Sequence, residues 1–283
     1  MTIQSRRIGF IGAGNMGEAM IGALIRAGLF SPTAIQASDV NADRIADLGK
    51  AYGIRPAENN PTLFRECDVV VLAVKPQQMD AVLSDIAGTA GYGVARPKLV
   101  ISIAAGIPLR RIEGHLYSPL DADERKRLAM VRVMPNTPAL VGAGMSGMSP
   151  NENAGEAEQA AAQEILEAMG RVVVLPEAQL DAVTGVSGSG PAYVFYLAEA
   201  MATGGVAAGL DAADAAELAL ATIEGAARLM RERDEAPASL RRKVTSPGGT
   251  TEAALGVLED HEVGRNIADA VVAAARRAAE LSG

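Results

Sequence analysis

Short apolar runs separated by longer amphipathic stretches dominate the first part of the chain. Ile8, Phe10 and Ile11, then 34–38, 68–74 (D-V-V-V-L-A-V), 98–103, 130–134 and 171–175 each read as a strand, with a further short one near Ile54. Runs this uniformly apolar suit strands buried on both faces of a parallel sheet. Helical periodicity fills the intervals: an Ala/Met/Ile/Leu stretch that stops near Gly28, then 42–52, 62–66 and 156–169, the last ending at Gly170. Strands alternating with helices at this spacing predict a doubly wound sheet, so the fold class expected is α/β. Residues 118–127 read as a charged, solvated loop.

Beyond Pro176 the strand pattern stops. The stretches 192–208, 212–232, 238–244, 250–259 and 262–281 all read as Ala-rich helices. The boundary predicts a dinucleotide-binding domain over 1–176 and an all-α domain over 177–283. Leu218, Ile223, Ala226 and Leu229 form one apolar stripe, and so small a helical domain has too little bulk to shield every such face. A second copy of the chain is the expected cover, giving a homodimer.

The first strand leads into the motif that most narrows the function. Gly12, Gly14 and Gly17 follow it with the spacing G-x-G-x-x-G, and a helix follows them. In that context the first Gly allows a tight turn, the second lets the backbone approach a pyrophosphate, and the third lets helix pack on strand. The helix N-terminus then presents N–H groups and its positive dipole end to the phosphates. The N-terminal half is therefore expected to be Rossmann-like. Asp39 ends the second strand 22 positions beyond Gly17, where a carboxylate can take an adenine-ribose hydroxyl. There its charge would repel a 2′-phosphate, softened by Ser38 and Arg44; capping of the next helix is the rival reading. Lys75-Pro76, Ala104-Ala105-Gly106 and Pro135-Asn136-Thr137-Pro138 also stand at carboxyl ends of strands, where open α/β sheets bind ligands. Lys75 reads equally well as an ordinary solvated lysine.

Composition removes other classes. A net charge of −8 with no block of Lys and Arg argues against a nucleic-acid partner. Cys67 is the single cysteine, so no intrachain disulfide can form. His115 and His261 lack metal-ligand spacing and read as surface or packing residues. Asn15, Glu18 and the glycines interrupt the N-terminal apolar stretch, which therefore reads neither as a membrane span nor as a signal peptide; the cytoplasm is the expected location.

Two Gly/Ser/Thr-rich stretches, 183–193 (V-T-G-V-S-G-S-G-P-A-Y) and 243–252 (K-V-T-S-P-G-G-T-T-E), read as loops preceding helices. Such loops offer N–H groups and hydroxyls to an anion, or serve only as caps and turns. Neither histidine lies in these stretches and Tyr193 opens a helix, so their Gly, Ser and Thr positions supply no base of the kind an alcohol dehydrogenase needs. A neutral donor pocket suits a substrate that carries its own proton, such as a cyclic imine. Proximity would supply most of the rate, and the cofactor the difficult chemistry.

The chain resembles pyrroline-5-carboxylate reductases along its whole length. The stretches I-G-F-I-G-A-G-N-M-G, L-A-V-K-P, S-I-A-A-G, M-P-N-T-P-A-L-V, D-A-V-T-G-V-S-G-S-G-P-A-Y and V-T-S-P-G-G-T-T carry the resemblance. It implies reduction of 1-pyrroline-5-carboxylate to L-proline with NADPH or NADH, by dimers interlocked through C-terminal helices and often assembled into decamers of five dimers. It implies that Ile11, Gly12, Ala13, Gly14, Asn15 and Met16 cradle the pyrophosphate, with Asp39 at the ribose and Asn60 beside the adenosine. Ala73, Val74, Lys75, Pro76, Ala104, Ala105 and Gly106 would line the cofactor towards its nicotinamide. Ser246, Gly248, Gly249 and Thr250 would hold the substrate carboxylate, and Thr251 the ring nitrogen, in a loop facing the cofactor of the partner subunit. Asp39 departs from the small polar residue common in the family, and the segments 88–97 and 118–127 look expanded. A related imine or hydroxy-acid reductase and a non-catalytic dinucleotide-binding regulator are the alternatives.

Overall fold

Eight strands line up in one sheet in the order β3-β2-β1-β4-β5-β6-β7-β8. They are β1 (Ile8–Ile11), β2 (Ile35–Ser38), β3 (Arg55–Pro56), β4 (Val69–Leu72), β5 (Lys98–Ser102), β6 (Leu128–Met134), β7 (Gly144–Pro150) and β8 (Gly170–Val174). The computed structural model describes residues 3–282. Strand β1 pairs in parallel with both β2 and β4, Ile8 lying opposite Ile35 on one side and Val69 on the other. The chain order reverses there, between β1 and β4, which creates the crevice that α/β folds use for ligands.

Alternation along the strands sorts the core into two layers. On one face Ile8, Phe10, Val71 and Ile101 pack with α1 (Asn15–Arg26), α2 (Ala42–Tyr52) and α7 (Glu156–Glu167). On the other, Ile11, Val70, Leu72 and Val100 meet α3 (Asn60–Glu66), α4 (Met79–Gly88) and α5 (Leu109–Leu116). The remaining helices are α6 (Ala122–Lys126), α8 (Leu180–Val183), α9 (Gly190–Ala207), α10 (Ala212–Arg233), α11 (Pro237–Lys243), α12 (Thr250–Asp260) and α13 (Val263–Ser282). The chain divides into two compact units, one running to Gly188 and resuming at Ala274, the other spanning Ser189–Ala273.

One strand is added to the sequence reading and two expectations are corrected. The seventh strand, β7, runs antiparallel to β6 and parallel to β8, and its G-M-S-G-M-S-P sequence carries no strand pattern. Its small residues answer to packing, since a Cβ on Gly147 would lie 2.9 Å from Val183 and 3.1 Å from Leu180. Inside the supposed loop at 118–127, α6 forms behind a capping box in which Asp121 and Glu124 each accept the other's backbone N–H. The stretch 183–193 is helical rather than a loop: α8 passes into a π-turn over Thr184–Gly188, and α9 begins at Gly190. Hydrogen bonds from Asn136 Nδ2 to Ser187 Oγ (3.2 Å) and from Ser187 Oγ to the Met145 carbonyl (3.4 Å) hold that turn.

Lys98 begins β5 almost fully buried, its Nζ donating to the carbonyls of Phe64 and Cys67 at the end of α3 and lying 4.9 Å from the Phe64 ring centre. Burial without a carboxylate partner lowers its pKa to about 8. The unfolded chain keeps that proton to higher pH, so Lys98's contribution to stability rises as pH climbs from about 8 towards the ordinary lysine value, and is flat above it. Lys98→Met removes this rise. Its stability relative to wild type, measured by denaturant unfolding, should fall by on the order of 3 kcal/mol between pH 7 and pH 10.5; a constant gap would refute the assignment.

Candidate functional site

The strand–turn–helix at the topological switch is built around Gly12. Its φ of +95° suits glycine, and a Cβ there would sit 2.6 Å from the Ala73 carbonyl oxygen at the end of β4. Gly12 N–H donates to the Ser38 carbonyl (2.8 Å) and Ala73 N–H to the Ile11 carbonyl (2.8 Å), so the ends of β1, β2 and β4 are bonded together. Gly14 differs: a Cβ added to it would meet nothing within 4 Å. It is also the N-cap of α1 and brings no side-chain hydrogen bond, so the first-turn N–H groups are left for water or an anion.

The backbone of Ala13 is held at both its N–H and its carbonyl. Its N–H donates to Asp39 Oδ2 (2.7 Å), and its carbonyl accepts from Arg44 Nε (2.9 Å). Asp39 Oδ1 accepts the N–H of Asn41 (2.9 Å), while Asn41 itself caps α2 through Asp43 and Arg44 N–H. Asp39 therefore braces the glycine turn and is not the helix cap. Ser38 donates its hydroxyl to Asn60 Oδ1 (2.6 Å), tying β2 to the start of α3.

A cleft of about 1340 Å³ opens over this turn. Of the residues singled out from sequence, Ile11, Gly12, Gly14, Asp39, Asn60, Ala73, Val74 and Lys75 line it. Ala13 is buried beneath it, and Asn15 borders a smaller neighbouring hollow with Glu18, Arg26 and Tyr52. Met16 packs against the core. Pro76 opens a 3-10 turn after β4, and Ala104, Ala105 and Gly106 follow β5 outside the cleft, where a Cβ on Gly106 would lie 3.2 Å from the Leu281 carbonyl. Sequence reasoning missed two walls, one from Val40 and α2 (Ala42, Ile45, Ala46, Gly49 and Lys50) and one from α4 and the turn before it (Gln77, Gln78, Ala81, Val82 and Asp85). The signal was present in α2: Ala42, Ala46 and Gly49 recur at helical spacing as a small-residue edge.

The second proposed element, 246–251, lies in the other compact unit and opens α12 with Gly249 as N-cap and no capping side chain. Gly249 N–H donates to the Ser246 carbonyl (2.9 Å), and Gly248 N–H to Glu252 Oε2 (2.7 Å). The turn itself holds hydroxyls and main-chain donors with no ionisable side chain.

No group of three or more His, Cys, Asp or Glu among the described residues could hold a metal ion. His115 lies half-buried between Asp80 (3.5 Å) and the Ser84 hydroxyl (3.4 Å). That order imitates a hydrolytic triad, but Asp80 is held by the Arg111 guanidinium at 2.6 Å and 2.8 Å, which also lowers its pKa. His261 ends α12 on the surface. No described helix is long and apolar enough to cross a membrane.

Comparison with known proteins decides the family. Residues 177–281 match the family described as pyrroline-5-carboxylate reductase dimerisation, and residues 7–106 that described as NADP oxidoreductase coenzyme F420-dependent. The chain is 42% identical to the pyrroline-5-carboxylate reductase of Methanosarcina acetivorans, covering 99% of each chain. It is 45% identical to that of Synechocystis sp., covering 98% of each. The chain belongs to the pyrroline-5-carboxylate reductase family. It is accordingly an NAD(P)-dependent oxidoreductase, of α/β fold with a helical C-terminal part. The Plasmodium falciparum pyrroline carboxylate reductase, solved with NADP bound, superposes with a TM-score of 0.85 over 99% of both chains at 28% identity.

The two motif glycines separate fold from binding. Gly12→Ala should destabilise the protein by at least about 1 kcal/mol, from a positive φ and a backbone clash. Gly14→Ala should cost less than Gly12→Ala, up to about 1 kcal/mol for alanine at an N-cap, yet weaken NADH binding, because its methyl enters open space over the turn. Thermal unfolding and a NADH titration read both; equal effects of the two substitutions on stability would contradict the assignment.

Proposed function

We propose that this protein reduces 1-pyrroline-5-carboxylate to L-proline with NADPH or NADH, the last step of proline biosynthesis, through the following residues. Residues 11–16 carry the diphosphate, Asp39 accepts a ribose hydroxyl on a lone pair its two backbone bonds leave open, and Asn60 lies beside the adenosine. Residues 73–76 and 104–106 line the nicotinamide side. In this division 1–176 is the dinucleotide-binding domain and 177–283 the dimerisation and substrate-binding domain.

The observation that carries the reading is the chemistry of the 246–251 turn, which offers hydroxyls and N–H groups and neither acid nor base. Ser246, Gly248, Gly249 and Thr250 hold the substrate carboxylate. The Gly248 N–H already binds one carboxylate, that of Glu252, so the substrate replaces like with like. Thr251 hydrogen-bonds the ring nitrogen. A cyclic imine enters protonated at that nitrogen; when bound, the reduced nicotinamide supplies a hydride to the C=N carbon, and the electron pair of the C=N bond passes to the nitrogen. The product is the secondary amine, and no side chain need give up or take a proton.

The working unit is a homodimer, and five dimers joined as a decamer form the larger assembly, acting in the cytoplasm. Support comes from the helices of 189–273, where Phe195 (60% exposed), Tyr196 (75%), Leu218 (54%) and Leu220 (60%) stand in solvent in the single chain. A monomeric mass by light scattering at micromolar concentration would remove the dimer.

Mixing protein, NADH and pyrroline-5-carboxylate should lower the absorbance of the reduced cofactor. Oxidation of a hydroxy acid instead would favour the related reductase, and inertness with both would favour a regulator. Thr251→Val should reduce turnover roughly fivefold, the worth of about 1 kcal/mol for one neutral hydrogen bond, with NADH affinity unchanged. Unaltered turnover would clear Thr251 of the role.

A further inference from the structure

The choice between NADH and NADPH rests on a second layer of contacts behind the glycine turn, given that this turn and Asp39 hold the cofactor as proposed above. Arg44 is the guanidinium closest in sequence to Asp39, and it is the natural cation for a 2′-phosphate. In this structure it is already committed. Its Nε donates to the Ala13 carbonyl (2.9 Å) and its Nη2 is paired with Glu18 Oε2 of α1. Glu18 is itself fixed, its Oε1 accepting the Tyr52 hydroxyl (3.2 Å) from the end of α2. Both partners of the ion pair are only about a third exposed (31% and 32%), so solvent competes for it weakly.

What remains at the cleft is unfavourable to a further anion. Its ionisable lining is Asp39, Lys50, Glu58, Lys75 and Asp85, three acids against two bases. Lys50 belongs to the last turn of α2, eight residues beyond Ala42 and so roughly 12 Å along the helix axis. A 2′-phosphate would bring close to two negative charges beside the Asp39 carboxylate.

We infer that Glu18 is a specificity-determining positioning residue: by holding Arg44 on the α1 side of the turn it denies a 2′-phosphate its cation, and with Asp39 it makes NADH the preferred cofactor. Glu18 acts through Arg44 and touches neither cofactor nor substrate.

Calorimetric titration with NADH and with NADPH tests this without relying on turnover. Wild type should bind NADH about tenfold more tightly than NADPH, the scale of one charged hydrogen bond. Glu18→Gln releases Arg44 and should tighten NADPH severalfold while leaving NADH within about twofold, and a second change, Arg44→Gln, should cancel the gain. Asp39→Asn keeps an acceptor for Ala13 N–H while removing the charge, and should also shift the ratio towards NADPH. Wild-type preference for NADPH, or an E18Q variant that changes both affinities equally as a merely structural role would, overturns the inference. If E18Q does not fold, Arg44→Gln alone decides: both affinities should fall together, and a selective loss of NADPH would place Arg44 on the phosphate and refute it. Turnover of pyrroline-5-carboxylate is scored separately. NADH selectivity without turnover would sink the reductase reading and leave this one standing, and turnover with NADPH preference would do the reverse.

Discussion

The contact between the backbone at Gly12 and the Ala73 carbonyl is the constraint on which the N-terminal unit depends. A Cβ at Gly12 would come within 2.6 Å of that oxygen, so β1 and β4 end flush at the switch point only because the side chain is missing. That close approach sets where α1 begins, and hence where its uncapped N–H groups emerge. The surrounding apolar layers, with Ile8, Phe10, Val71 and Leu72 all wholly buried, make the strand ends rigid enough for the turn to keep this shape.

Around this backbone feature the polar residues divide the work. Asp39 and Arg44 hold the N–H and the carbonyl of Ala13, and Glu18, itself held by Tyr52, holds Arg44 in turn. Asp39, Arg44 and Glu18 are therefore spent on the geometry of the turn, and in the function proposed above the diphosphate falls to its main-chain donors. The turn at 246–251 follows the same economy with hydroxyls and amides. In the function proposed above both elements orient charge that arrives with the ligand, and neither turn needs a titrating side chain at neutral pH. Such an arrangement fits a reaction whose substrate is already cationic and whose reductant is a bound dinucleotide.

How much was legible in the sequence follows from where each signal lies. β1, β4 and the glycine motif were readable because buried parallel strands are nearly continuous apolar runs and because glycine spacing is local. β7 was not, since Gly, Met and Ser alternate there to admit Val183 and Leu180 rather than to satisfy strand propensity. α6 was hidden for the opposite reason: A-D-E-R-K has no apolar face, and its capping box alone marks it. The glycine- and serine-rich 183–193 stretch looked like a loop, yet Leu180 in the core and the Asn136–Ser187 bond keep it helical. Asp39 was found by its distance from Gly17, whereas its bond to Ala13 and the pairing of Glu18 with Arg44 join residues 26 apart and leave no trace in spacing.

A crystal structure of the protein grown with NADH tests the central claim most directly. The account requires the diphosphate oxygens within hydrogen-bond reach of the N–H groups of residues 14–16, and the adenosine ribose hydroxyls beside Asp39. A diphosphate held instead by Lys or Arg side chains, or seated away from the end of β1, would contradict it.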